Sequence, residues 1–131
     1  MTNAVYNIPP AYNEPVLNYA QGSPEKTALK AALAEARSKQ MDIPMYIDGQ
    51  EVRTGNTSAL RPPHDHTHVL GMYHKGEKKH VQLAIDAALK AKKQWAEMPW
   101  EQRAAIFLKA ADLLAGPYRY KMNAATMLGQ S

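Results

Sequence analysis

The run His64-Asp65-His66-Thr67-His68 is the densest cluster of chemistry-bearing side chains in the sequence, with His74 and His80 beyond it. On an extended backbone, alternation sends His64, His66 and His68 to one side, and neutral imidazole is a common metal ligand. A metal site also needs ligands in fixed geometry. Three imidazoles on a loop that follows Pro62-Pro63 have none, and no carboxylate cluster completes the set. Asp65 beside His64 and His66 is an acid–base pair only by adjacency, whereas catalytic partners meet in space. These residues favour a solvent-facing loop.

Other chemistries lack their parts. The sequence has no cysteine, so disulfides, thiolate zinc sites, iron–sulfur clusters and a cysteine nucleophile are excluded within it. Gly71, Gly76, Gly116 and Gly129 stand alone, outside any phosphate-cradling motif. Ser23, Ser38, Ser58 and Ser131 have no nucleophile-elbow context. Trp95 and Phe107 fall on apolar helical stripes, which favours core packing over base stacking, and the seven dispersed methionines read as core filler. Asn56-Thr57-Ser58 is a glycosylation sequon by letter only. Taken alone, these residues assign no catalytic or cofactor-binding role and favour no metal site, and the function is not readable from them.

The elements around these residues alternate in period. Residues 1–22 are rich in Pro, Asn and Tyr without periodicity and read as an extended arm. Ser23-Pro24-Glu25 supplies an N-cap hydroxyl, a first-turn proline and a first-turn acid. Leu29, Ala32, Leu33 and Ala36 make the stripe of a helix that Ile43-Pro44 is expected to end. Met45-Tyr46-Ile47, Asp48-Gly49 and Gln50-Glu51-Val52 predict a hairpin with a two-residue turn. A weaker strand pair is predicted from Ser58 to Arg61 and from Val69 to Tyr73. Two helices follow. The first carries Val81, Ala84, Ile85, Ala88 and Leu89 and breaks at Met98-Pro99; the second turns Ala104, Phe107, Leu108, Ala111 and Leu114 inward and stops at Gly116-Pro117. A third helical pattern starts near Tyr118 and runs to the end of the sequence.

At 131 residues and 45% apolar content the chain has the size of one globular domain. The net charge of +4 is uneven: residues 1–70 carry 6 basic and 7 acidic side chains, residues 71–131 carry 10 and 5. A basic half allows a stand-alone helical interaction or nucleic-acid-binding module as the alternative reading. Asp86 with Lys90, and Lys93 with Glu97, instead have the i,i+4 spacing of a solvated helix face. Residues 1–15 hold no Lys or Arg and no long apolar run, unlike a secretory or transit segment, and no run approaches the ~20 residues that cross a bilayer. A cytoplasmic location is expected, with the mitochondrial matrix as alternative, and neither a membrane nor a nucleic-acid partner.

Three stretches carry a resemblance. They are Asn13-Glu14-Pro15-Val16-Leu17-Asn18-Tyr19-Ala20 with Gly22-Ser23-Pro24-Glu25, Pro99-Trp100-Glu101-Gln102-Arg103 through Leu114, and Ala125-Thr126-Met127-Leu128-Gly129-Gln130-Ser131. Nearly the whole chain resembles the amino-terminal part of the 1-pyrroline-5-carboxylate dehydrogenases, a branch of the aldehyde dehydrogenase superfamily. The resemblance implies an α/β fold: an extended arm over residues 1–22, then over 23–131 an incomplete opening portion of the NAD-binding domain. That portion holds a helix, short β-hairpins, and helices whose faces around Ile85, Leu89, Phe107 and Leu114 pack on a Rossmann-like sheet supplied elsewhere. It also implies a homo-oligomeric parent enzyme that oxidises glutamate γ-semialdehyde to glutamate with NAD in proline catabolism. In that family a cysteine thiolate attacks the aldehyde and a glutamate-activated water hydrolyses the thioester. Both residues, and the NAD-cradling loop, are expected beyond Ser131. The fragment itself is expected to be structural and inactive alone.

Overall fold

The structure is a computed structural model that describes Val5, Asn7 and residues 9–131. The arm expectation for residues 1–4, 6 and 8 lies outside the described residues, as does that part of the reading of residues 1–15. From residue 9 to residue 20 the chain forms no helix or strand.

Helix α1 spans Pro24–Ser38. Ser23 Oγ accepts from the Lys26 N–H at 3.3 Å, satisfying one of the backbone donors that a helix start leaves unpaired. The helix ends five residues before the expected Ile43-Pro44 stop. Lys39 is already extended, and Met41–Ile43 forms a strand, β1, parallel to β5 (Gly71–His74). The physical reason is tertiary: the Met41 N–H donates to the Leu70 carbonyl at 2.9 Å, and the strand finds backbone partners that a continued helix would forgo.

The predicted hairpin forms as β2 (Met45–Ile47) and β3 (Gln50–Val52), with Met45 opposite Val52. Asp48 and Gly49 take φ of 51° and 73°, the two left-handed residues that the turn requires. The weaker strand pair also forms. β4 (Thr57–Leu60) lies antiparallel to β5, so β5 sits between β1 and β4 in a three-stranded mixed sheet.

Helices α2 (Lys78–Glu97), α3 (Trp100–Ala115) and α4 (Arg119–Gln130) complete the chain. Helix α4 packs on α1 and also meets α3, while α2 rests on β2. The buried apolar set is small: Leu70, which links β4 to β1, and Ala124 and Leu128, four residues apart on α4; Pro62 is also fully buried. The stripes of α2 and α3 expected to face inward do not. Ile85, Leu89, Phe107 and Leu114 are 46%, 62%, 67% and 51% exposed, and Trp95 is exposed too. The described residues cover them only in part.

Candidate functional site

The histidines expected in a solvent-facing loop do not share a partner. His64 Nδ1 lies 2.7 Å from Ser131 Oγ, and the His66 carbonyl accepts from Arg61 at 2.7 Å. His68 Nε2 is buried with no hydrogen-bond partner among the described residues. Asp65 accepts from Thr67 Oγ1 at 2.7 Å and pairs with Arg37 at 2.5 Å. These two hydrogen bonds, Thr67 first, hold its carboxyl down at about 2. Asp65 thus ties the loop to the last turn of α1 and is no proton acceptor for its histidine neighbours. Among the described residues, no three His, Asp or Glu side chains gather as a cation site.

His80 and His74 are placed by the elements around them. His80 is the buried third residue of α2, and its Nδ1 accepts from the Glu77 N–H at 2.9 Å, the reciprocal arm of a helix-start capping box. His74 sits at the end of β5 with its side chain 10% exposed. Its Nε2 lies 2.9 Å from Asp42 Oδ1 on β1. Asp42 Oδ2 accepts from Arg53 Nε at 2.7 Å, Arg53 donates to Glu51 at 2.6 Å, and the Tyr46 hydroxyl donates to Glu51 at 2.8 Å. The Arg53 hydrogen bond, and then that of His74, lower the Asp42 carboxyl below the usual range. The chain of contacts joins the mixed sheet to the hairpin.

Sequence reasoning missed this network. It requires β1, which the residues alone did not disclose. An aspartate–histidine pair is a common catalytic device, but here the other ring nitrogen is taken: the Thr54 N–H donates to His74 Nδ1 at 2.8 Å. The ring therefore presents no free nitrogen to a substrate, and its work is to hold strands.

Four of the ten basic residues of the second half stand beside acids. Lys79 pairs with Glu77, Lys93 with Glu97 at 4.0 Å, and Arg119 with Glu14 at 3.5 Å. Lys90 turns to Asp48 at 3.1 Å rather than to Asp86, which accepts from Gln82. Arg119 also donates to the Pro15 carbonyl, and Asn123 to the Tyr19 hydroxyl, so α4 holds the arm.

Two open grooves exist. One of about 510 Å³ lies at the α2–α3 corner between Lys93 and Gln102, and one of about 340 Å³ lies between α2 and the hairpin at Leu83 and Val52. Neither is lined by glycine, so neither shows the glycine-rich loop of a phosphate cradle. No helix among the described residues is long and apolar enough to cross a membrane.

The profile of the Aldehyde dehydrogenase family matches residues 50–125. The delta-1-pyrroline-5-carboxylate dehydrogenase of Agaricus bisporus is 55% identical over 128 residues, covering 97% of this chain and 23% of that protein. The mitochondrial delta-1-pyrroline-5-carboxylate dehydrogenase of Dictyostelium discoideum is 44% identical over 124 residues, covering 95% of this chain and 22% of its own length. Among solved structures, the crystal structure of the Mycobacterium tuberculosis delta-pyrroline-5-carboxylate dehydrogenase bound with NAD superposes with a TM-score of 0.94. It is 43% identical and covers 99% of this chain and 24% of that one. The chain therefore spans about a quarter of the length of these relatives, matching their amino-terminal part. The mixed helix-and-strand arrangement is that of the amino-terminal part of the aldehyde dehydrogenase fold, and the chain belongs to the aldehyde dehydrogenase family.

Proposed function

We propose that this chain is the structural opening portion of an NAD-dependent enzyme that oxidises L-glutamate γ-semialdehyde, in equilibrium with 1-pyrroline-5-carboxylate, to glutamate. The observation that carries this reading is the near-complete match of the chain, at 55% identity, to a delta-1-pyrroline-5-carboxylate dehydrogenase. Residues 1–22 act as the arm and residues 23–131 as the opening of the NAD-binding domain. The exposed stripes of α2 and α3 then pack against the rest of the longer polypeptide. Burying Leu89 and Phe107 there would stabilise the whole by about 1.5–3 kcal/mol each.

Catalytic and cofactor-contacting groups lie outside these residues in this reading. The full-length enzyme binds NAD, which accepts the hydride, and works as a homo-oligomer in the cytoplasm or the mitochondrial matrix.

The test compares the 131-residue chain with the longer polypeptide encoded by the same gene, following NADH formation with glutamate γ-semialdehyde. The longer polypeptide is expected to turn over and the 131-residue chain to be silent. Turnover by the chain alone refutes the structural role. A longer polypeptide that oxidises other aldehydes but not this one refutes the substrate.

A further inference from the structure

His74 Nδ1 faces both polar groups of one residue: the Thr54 N–H at 2.8 Å and the Thr54 carbonyl oxygen at 2.6 Å. The two make opposite demands. An N–H needs a bare nitrogen, and a carbonyl oxygen needs a protonated one. The other ring nitrogen has no such choice, because the ionised Asp42 carboxylate only accepts and keeps the hydrogen on Nε2. Neutral His74 can therefore satisfy only the Thr54 N–H, and protonated His74 only the Thr54 carbonyl.

We propose that His74 is a protonation-dependent clamp on the backbone after β3: its neutral ring holds the Thr54 N–H, and its imidazolium releases that N–H and holds the Thr54 carbonyl instead. The exchange is local but it sits at a junction. The single Thr54 hydroxyl hydrogen lies within reach of the Asn56 and Lys75 carbonyls, at 3.0 Å and 3.1 Å, so the residue stands between the start of β4 and the end of β5. Arg53, its neighbour, carries the ion pairs to Asp42 and Glu51 that hold the hairpin.

The charged groups facing the ring come from two sides. Asp42 lies on β1 and Arg53 after β3, with Glu51 of β3 and Tyr46 of β2 one step further along the network. Strand β4 brings no titratable side chain, and Lys75 enters through its carbonyl.

Nitrogen NMR of the full 131-residue chain across the imidazole's titration tests the clamp. The neutral ring is expected as the Nε2–H tautomer, and the Thr54 amide proton is expected to shift with the same midpoint as the ring and to exchange faster with solvent on the acid side. Asp42→Asn removes the carboxylate that fixes Nε2–H, and the neutral ring should then gain Nδ1–H tautomer. A Thr54 amide that ignores the His74 titration, or a neutral wild-type ring in the Nδ1–H form, overturns the proposal.

Discussion

Gly71 stands against the Met41 carbonyl so closely that a Cβ on it would lie 2.5 Å from that oxygen. The same Cβ would meet Met41 Cβ at 3.2 Å and Ile43 Cδ1 at 3.3 Å. The two residues are register partners in the parallel pairing of β5 with β1, so the missing side chain is what lets the strands approach. Gly71→Ala has to push backbone against backbone. The cost expected is that of overpacking, about 1–3 kcal/mol, read from the denaturant midpoint at unchanged slope. An unchanged midpoint would show that β1 is free to move.

Ser23 is the side-chain cap of α1, and α1 is the surface on which α4 rests. Ser23→Ala leaves the Lys26 N–H without its acceptor and should cost about 1 kcal/mol, whereas Ser23→Gly should cost only a few tenths. Thermal unfolding of the two variants separates them, and equal losses would argue that the hydroxyl does not cap.

The hairpin and the mixed sheet differ in how far they could be read from residues. Asp48-Gly49 has a local physical demand, two left-handed residues in succession, and so the turn and its register were legible. Strand β1 has no local signature: its three residues precede a proline, and their pairing partners stand thirty positions away. The His74 network was invisible for the same reason, since His74 meets Asp42 and Thr54 across 32 and 20 positions. The amphipathic helices were legible as helices. On α2 and α3 the sequence shows an apolar stripe, and that stripe stays largely exposed among the described residues.

Asp65 gives a pH dependence whose sign follows from its partners. Its carboxyl titrates at about 2 when folded, below the ordinary 3.8, because Thr67 and Arg37 hold the ionised form. A group depressed on folding adds stability above its unfolded pKa, and that contribution fades as pH falls from the unfolded value through the folded one. The loop's attachment to α1 should therefore be intact above about pH 4 and lost toward pH 2. Carboxyl-carbon NMR should place the Asp65 midpoint below those of other aspartates, and Arg37→Ala should bring it back toward the ordinary value. A midpoint that stays put in Arg37→Ala would assign the depression to Thr67 alone.

The exposed apolar stripes make one substitution act oppositely in two settings. In the 131-residue chain Leu89 on α2 and Phe107 on α3 are largely exposed, and exposed apolar side chains of this size promote association. Changing both to lysine removes that surface without touching the buried residues Leu70, Ala124 and Leu128. Sedimentation should then show less concentration-dependent association and an unchanged fold by circular dichroism. In the longer polypeptide proposed above, the same two side chains are covered, so each lysine would have to bury a charge or open the contact. There the double variant should lower the unfolding temperature and reduce dehydrogenase activity. If the longer polypeptide tolerates both lysines, these faces are solvent-exposed in the whole enzyme and the packing role assigned to them is wrong.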